Sequence, residues 1–170
     1  MAASTKLKGE AVQLNGELPQ EGTEAPDFRF VRKDMSEGKL SDLKGKPTVL
    51  IAVPSVDTPV CANEAKQFNQ KLSEIGAQGL VVSEDLPFAL SRFCEAEGIE
   101  NVDTVSDFRY GDFVDKYKTG IAEGPFQGLS ARAVFVVDPD GKLAHTQLVP
   151  EIGEEPDYGT VIDHLKELVA

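Results

Sequence analysis

The sequence predicts an α/β protein in which a mixed β-sheet carries helices on both faces. Apolar, β-branched runs alternate along the chain with stretches of helical periodicity, the order expected when helices cover a sheet from both sides. A strong turn sequence, Asp138-Pro139-Asp140-Gly141, then separates two further strands that should pair antiparallel. The 170 residues have the length of one ordinary domain, and 41% are apolar, enough to build a core. We therefore expect a single domain over residues 1–170.

Each predicted element follows from its local pattern. Weak alternation around Gly9-Glu10 predicts an N-terminal β-hairpin. The run Pro47–Val53 is apolar on both faces, which is typical of a central strand. A helix should follow, because apolar side chains recur at spacings of three and four from Cys61 to Ile75, and Gly76 closes it. The other predicted strands are 28–31, 79–83, 102–105, 133–137 and 142–149, and the other predicted helices are 86–97, 108–117 and 158–169.

Charge and cysteine content exclude several classes of function. Acidic residues number 29 against 17 basic ones, and the net charge of -12 would repel a nucleic acid backbone or an anionic membrane surface. The longest apolar runs have five residues, far fewer than the roughly 20 of a membrane helix. The first residues lack the apolar stretch of a secretory signal, so we expect a cytoplasmic protein, whose thiols are kept reduced. Its two cysteines are then more typical of catalytic or inert thiols than of a permanent disulfide.

The sequence lacks the motifs of several common catalytic sites, and a cysteine thiol is the remaining candidate for a reactive group. The chain has no phosphate-binding glycine loop, dinucleotide fingerprint or serine-hydrolase elbow. His145 and His164 lie near neither a cysteine nor each other in sequence, so we expect solvated histidines, no metal and no cofactor. The absence of Cys-x-x-Cys argues against a thioredoxin-type disulfide exchanger.

Cys61 is predicted to lie in the first turn of a helix. Thr58 is a good N-cap residue and Pro59 a preferred first helical residue, which places Cys61 at the third helical position. The positive end of the helix dipole favours a thiolate there, but by only about 0.3 to 1 kcal/mol, and partial burial opposes ionisation. A nearby cation, most naturally an arginine, is therefore needed. The alternative is a cysteine that packs as a small apolar residue.

Two segments resemble one known family. Pro54-x-x-x-Thr58-x-x-Cys61 resembles the active-site motif of peroxiredoxins, and the segment from Ser83 to Cys94 is similar to the second cysteine segment of their bacterial thiol peroxidase branch. Further similarity at 124–125, 131–133 and 155–158 extends the resemblance over nearly the whole chain. It implies a thioredoxin-like fold and a protein that is commonly dimeric.

The resemblance also implies roles for individual residues. Cys61 corresponds to the peroxidatic cysteine, Thr58 to the hydroxyl that binds the peroxide, and Pro54 to the residue that shields the site from water. Arg132 corresponds to the cation that holds the thiolate, and Cys94 to the resolving cysteine that forms an intrachain disulfide with Cys61.

Both of the last two assignments have structural alternatives. Arg132 would otherwise be an exposed arginine at the start of a strand. Cys94 would otherwise be a core residue, since it follows Leu86 and Leu90 at four-residue intervals. Val81 stands where some relatives carry a third cysteine, so only one disulfide can form.

Together these observations predict a peroxidase that reduces hydrogen peroxide and organic hydroperoxides and is recycled by thioredoxin. A pocket for bulky hydroperoxides would be lined by Leu86, Phe88 and Phe126. Two other classes stay open: a binding protein switched by the redox state of the two cysteines, and an acidic domain with two inert thiols.

Overall fold

The computed structural model describes residues 2–169. Its strands are β1 (Ser4–Leu7), β2 (Glu10–Gln13), β3 (Arg29–Arg32), β4 (Glu37–Lys39), β5 (Thr48–Ala52), β6 (Gln78–Ser83), β7 (Asp103–Ser106), β8 (Ala133–Val137) and β9 (Leu143–Leu148). Its helices are α1 (Pro59–Leu72), α2 (Pro87–Glu97), α3 (Asp112–Tyr117) and α4 (Tyr158–Val169), with a 3-10 turn at Leu40–Leu43. Over this span, no helix has the length and apolar character needed to cross a membrane.

The main sheet is mixed, as predicted. Seven strands follow the order β4-β3-β7-β6-β5-β8-β9, in which β5, β6 and β7 are parallel and the other pairs are antiparallel. The turn at 138–141 joins β8 to β9 as expected. Since parallel strands end at the same edge of a sheet, the loops after β5, β6 and β7 lie together, which is where α/β sheets usually place their sites.

Helices cover both faces of this sheet. Val49 and Ile51 of β5 pack into a cluster with buried side chains of α1, α2 and α4. Leu50 and Ala52, which point the other way, pack with Phe113 of α3. The predicted two-faced core is therefore confirmed.

The N-terminal hairpin is also confirmed, and it lies outside the main sheet. β1 pairs only with β2 as a strand, while Val12 and Leu14 pack in a third apolar cluster with Ile152. The Lys6 amide donates to the Pro150 carbonyl (2.9 Å), and the Ile152 amide donates to the Lys6 carbonyl (2.8 Å). The hairpin thus holds the segment that follows β9.

Helix α3 is shorter than the predicted helix at 108–117. It starts at Asp112, because Gly111 adopts a positive φ of 66° and the buried Asp107 carboxylate accepts the amides of Phe113 (2.8 Å) and Val114 (3.3 Å). Residues 108–110 form a turn instead. Helix α1 likewise ends at Leu72, before Ile75.

Candidate active site

Cys61 lies in the first turn of α1, just after the loop that follows β5. Thr58 has the extended backbone of an N-cap residue, and Pro59 is the first helical residue, so the predicted third position of Cys61 is correct. The Thr58 side chain does not cap the helix: its hydroxyl donates to the Ser55 carbonyl (3.0 Å). The thiol of Cys61 is completely buried.

Arg132 supplies the cation that the sequence argument required. It immediately precedes β8, and it is 2% exposed, so it is not a surface arginine. Its Nη1 atom donates to Cys61 Sγ (3.2 Å) and to Glu64 Oε2 (2.7 Å), and its Nε donates to the Ile152 carbonyl (2.9 Å). A guanidinium stays protonated in proteins, so it favours the thiolate form of Cys61 through a charge-assisted hydrogen bond.

Glu64 is a site residue that the sequence argument missed. Its side chain is fully buried, and Oε1 has no hydrogen-bond partner among residues 2–169. Burial raises the pKa of Glu64 to about 7, although the Arg132 charge opposes this shift. The position of Glu64 in the sequence could have identified it. Glu64 follows Cys61 by three residues and so lies on the apolar face of α1.

Two acidic groups therefore compete for one buried cation. When Glu64 is protonated, the charge of Arg132 is available to the Cys61 thiolate; when Glu64 is ionised, the two anions share it. This arrangement can hold a thiolate in a buried site, where an isolated charge would be strongly disfavoured.

Cys94 lies on α2 and packs in the same apolar cluster as Cys61. Both cysteines are free thiols, and each has its own partner. Cys94 Sγ lies 3.2 Å from Thr104 Oγ1 on β7, whereas Cys61 faces Arg132. The structure thus places both cysteines on one face of the sheet, in separate polar contacts.

Asp85 is a second residue that the sequence argument did not assign. It follows β6, and its carboxylate accepts hydrogen bonds from Ser55 Oγ (2.7 Å), the Val56 amide (2.8 Å) and Ser83 Oγ (2.7 Å). Ser55 and Val56 belong to the loop that leads into Cys61. Asp85 lies within the cysteine segment quoted above, but only the fold shows which loop its side chain reaches.

The remaining predicted site residues are not all brought together. Pro54 is buried directly after β5, beside the loop of Thr58. Leu86 and Phe88 are 47% and 70% exposed and line a shallow depression with Arg92. Phe126 instead packs against the third cluster, which contains the hairpin residues. A common pocket formed by Leu86, Phe88 and Phe126 stays a prediction.

The two histidines differ from the expectation of solvated positions. Their rings stack with centroids 4.4 Å apart, and His145 is largely buried with Nδ1 at 3.4 Å from Glu21 Oε1. Burial lowers the pKa of His145, and the neighbouring His164 adds to this. Within residues 2–169, no three His, Cys, Asp or Glu side chains are grouped as metal ligands would be.

Comparison with known proteins places this architecture among redox enzymes. The Redoxin family model matches residues 20–162. A thiol peroxidase of Leptospira interrogans is 50% identical over 92% of this chain and 93% of its own length. A thiol peroxidase of Aquifex aeolicus is 48% identical over 99% of this chain and 100% of its own length.

Solved structures agree on the fold. The crystal structure of a peroxiredoxin-like protein from Aquifex aeolicus superposes with a TM-score of 0.94 at 47% identity, covering 99% of each chain. A thiol peroxidase from Chromobacterium violaceum superposes with a TM-score of 0.89 at 20% identity, covering 96% of this chain and 95% of that one. The fold is therefore the thioredoxin-like fold of peroxiredoxins, as the sequence predicted.

Proposed function

This chain belongs to the Redoxin family and is a thiol-dependent peroxidase, and we propose that Cys61 is the residue that attacks the peroxide. The observation that carries the proposal is the contact of 3.2 Å between Arg132 Nη1 and Cys61 Sγ in a fully buried site at a helix N-terminus. Cysteine reacts as the thiolate, and a cation and a helix N-terminus both favour that form.

In the first step the Cys61 thiolate attacks the terminal oxygen of the peroxide. The O–O bond breaks, the sulfur is oxidised to a sulfenic acid, and the departing alkoxide or hydroxide takes up a proton to give an alcohol or water. Arg132 stabilises the charge as it moves from sulfur to the leaving oxygen. Because the O–H of Thr58 is donated to the Ser55 carbonyl, its oxygen is free to accept a hydrogen bond from the peroxide. Pro54, buried beside this loop, limits the access of water.

In the second step Cys94 resolves the sulfenic acid. Its thiolate attacks the Cys61 sulfur, a disulfide forms, and hydroxide leaves and is protonated to water. The chain has two cysteines, so Cys94 is the only partner available within the molecule. Its place in the same apolar cluster as Cys61 supports this pairing.

A dithiol reductant must then return the disulfide to two thiols. We assign this role to thioredoxin in the cytoplasm, because the exchange needs an external dithiol and no resident cofactor. Hydrogen peroxide and organic hydroperoxides are the proposed substrates, with Leu86, Phe88 and Phe126 as the pocket for bulky ones.

The proposed homodimer has a candidate interface. Four exposed aromatic or aliphatic side chains lie in the segments that follow β6 and β7, at the carboxyl edge of the sheet: Leu86, Phe88, Phe108 and Tyr110. A second copy that covers this surface would remove Leu86 and Phe88 from water and would add a wall to the shallow depression that they line.

The function is tested by comparing Cys61→Ser with Cys94→Ser. Each protein is given a hydroperoxide, thioredoxin, thioredoxin reductase and NADPH, and NADPH consumption is followed. We expect Cys61→Ser to lose all turnover, since a hydroxyl is not ionised at neutral pH. Cys94→Ser should consume one equivalent of peroxide and then be recycled poorly, with sulfenic acid or more oxidised forms on Cys61 by mass spectrometry.

The outcomes separate the candidate functions. Substantial turnover by Cys61→Ser would rule out its role as nucleophile. Full thioredoxin-linked turnover by Cys94→Ser would rule out its role in resolution. A wild-type protein that is oxidised once and does not turn over would be a redox switch rather than an enzyme.

A further inference from the structure

Asp85 joins the two loops that carry the cysteine segments. It lies between the end of β6 and Pro87, the first residue of α2, so it is part of the segment that leads to Cys94. Its carboxylate reaches the loop before α1: Oδ1 accepts from Ser55 Oγ, and Oδ2 accepts from the Val56 amide. One side chain therefore bridges the approach to Cys61 and the approach to Cys94.

The bridge extends to the hydroxyl of Thr58. The Ser55 carbonyl accepts both the Thr58 hydroxyl (3.0 Å) and the Thr58 amide (3.3 Å), and Ser55 Oγ accepts the Asp57 amide (3.1 Å). By fixing Ser55, the carboxylate of Asp85 fixes the turn that orients the Thr58 hydroxyl at the start of α1.

Asp85 is also anchored from behind. Ser83 Oγ donates to its carboxylate (2.7 Å), and Ser106 Oγ, at the end of β7, donates to its carbonyl (2.6 Å). Its own helix receives no cap from it: the N-cap residue of α2 is Leu86, which has no side-chain hydrogen bond to the helix. The Asp85 carboxylate thus stabilises the loop before Cys61 and does not cap α2, the helix that carries Cys94.

From this geometry we infer that Asp85 is a positioning residue that makes the Cys61 loop and the Cys94 helix open together. This inference rests on the proposed Cys61–Cys94 disulfide. A displacement of α2 that moves Asp85 breaks the contacts to Ser55 and Val56, and an opening of that loop removes the carboxylate's partners. The closed form keeps Cys61 against Arg132 for attack on the peroxide, and the open form brings Cys94 to the sulfenic acid.

The coupling makes an unusual kinetic prediction. Weakening the bridge should slow the first step, because the closed form is less populated, and should accelerate disulfide formation, because the open form is more accessible. Asp85→Asn tests this, since an amide retains one acceptor oxygen but loses the charge. Ser55→Ala removes one hydrogen bond to the same carboxylate, together with the acceptor of the Asp57 amide, without changing any charge.

The control is a destabilising change at the opposite end of the sheet. Leu143 on β9 is buried and pairs with Val137, whereas the Cys61 loop follows Ala52 at the other end of β5. Leu143→Ala should lower global stability without touching either cysteine segment.

Each reduced variant is mixed with one equivalent of hydroperoxide, quenched in acid and analysed by mass spectrometry for the sulfenic acid and the disulfide. In Asp85→Asn we expect sulfenic acid formation to be slower and disulfide formation faster, each by about tenfold, as loss of one charge-assisted hydrogen bond would give. Ser55→Ala should shift both rates in the same directions by less, and its added effect in the Asp85→Asn background should be smaller than its effect in the wild-type protein. Wild-type rates should be retained in Leu143→Ala.

Two results would overturn the inference. In the first, sulfenic acid formation and disulfide formation both become slower in Asp85→Asn and Ser55→Ala, or both keep their wild-type rates. In the second, Leu143→Ala also forms sulfenic acid more slowly and the disulfide faster. If the wild-type protein itself forms no Cys61–Cys94 disulfide, the proposed function fails, and the coupling fails with it.

Discussion

At the scale of single residues, one buried cation is shared by two acidic side chains. Arg132 contacts the Cys61 sulfur and the Glu64 carboxylate through the same Nη1 atom. The pKa of Glu64 is raised to about 7 by burial, so near neutral pH part of the population has a neutral Glu64 and an undivided charge for Cys61. The protonation state of Glu64 therefore decides how the charge of Arg132 is divided between its two partners.

Replacing Arg132 should slow the reactions of the Cys61 sulfur, because the contact between Arg132 Nη1 and Cys61 Sγ is lost. In Arg132→Ala we expect the rate of Cys61 alkylation at neutral pH to fall by about ten- to a hundredfold, the equivalent of one hydrogen bond to a charged group. The rate of iodoacetamide labelling measures this. Arg132→Lys keeps the charge and should slow the labelling less. An unchanged rate in Arg132→Ala would mean that another group supplies the positive charge.

Glu64 and Asp85 were not predicted as site residues, for two different reasons. Position could have identified Glu64, because a charged residue on the apolar stripe of a helix needs a partner. No local pattern identifies Asp85, since its partners Ser55 and Val56 lie about thirty positions earlier and meet it only through the pairing of β5 with β6.

At the scale of elements, α2 is held weakly at its first turn. Its N-cap Leu86 provides no side-chain cap, and it ends at Gly98 in the left-handed region, with φ 67°. Its buried residues form one stripe, and Cys94 makes a side-chain hydrogen bond to Thr104 on β7. Such an element can open below the free energy of global unfolding.

We predict that oxidation to the disulfide exposes α2. A disulfide needs its two Cα atoms within about 7 Å, which we expect the reduced fold to prevent. Hydrogen exchange should then be faster over residues 86–97 in the disulfide form than in the dithiol form, while β5 stays protected in both. Equal protection of 86–97 in the two forms would show that no opening is needed.

The elements that the sequence predicted well are those whose pattern matches their burial. β5 and α1 are examples: one is buried on both faces, and the other has a continuous apolar stripe. β4 was not predicted, because its residues Glu37-Gly38-Lys39 have no strand pattern and form a strand through their pairing with β3. The start of α3 was wrong because a tertiary contact, the carboxylate of Asp107, sets it.

At the scale of the whole molecule, buried carboxyl groups link stability to pH. Glu84 and Asp107 lie in the loops after β6 and β7, and burial together with the neighbouring Asp107 raises the pKa of Glu84. Asp107 accepts two backbone amides of α3, and these hydrogen bonds favour its anionic form, whereas Glu84 Oε2 has no hydrogen-bond partner among residues 2–169.

The raised pKa of Glu84 makes the folded protein less stable as the pH rises. The folded protein retains a proton on Glu84 above pH 4.5, where the unfolded chain has lost it, so the contribution of this pair to stability falls as the pH rises. Glu84→Gln mimics the protonated form. We expect its free energy of unfolding, relative to wild type, to increase by about 1 to 3 kcal/mol between pH 5 and pH 8 in urea denaturation. A difference that is constant across this range would show that folding does not raise the pKa of Glu84.

The N-terminal hairpin affects how any sample of this protein should be judged. Its strand β1 holds residues 149–152, and the Ile152 carbonyl in that segment accepts a hydrogen bond from Arg132. A protease that clips the exposed turn at Lys8-Gly9 would loosen this support while leaving both cysteines intact. Such a sample would still titrate two thiols, so thiol counting overestimates the competent fraction, and intact mass at the amino terminus is the measure of quality.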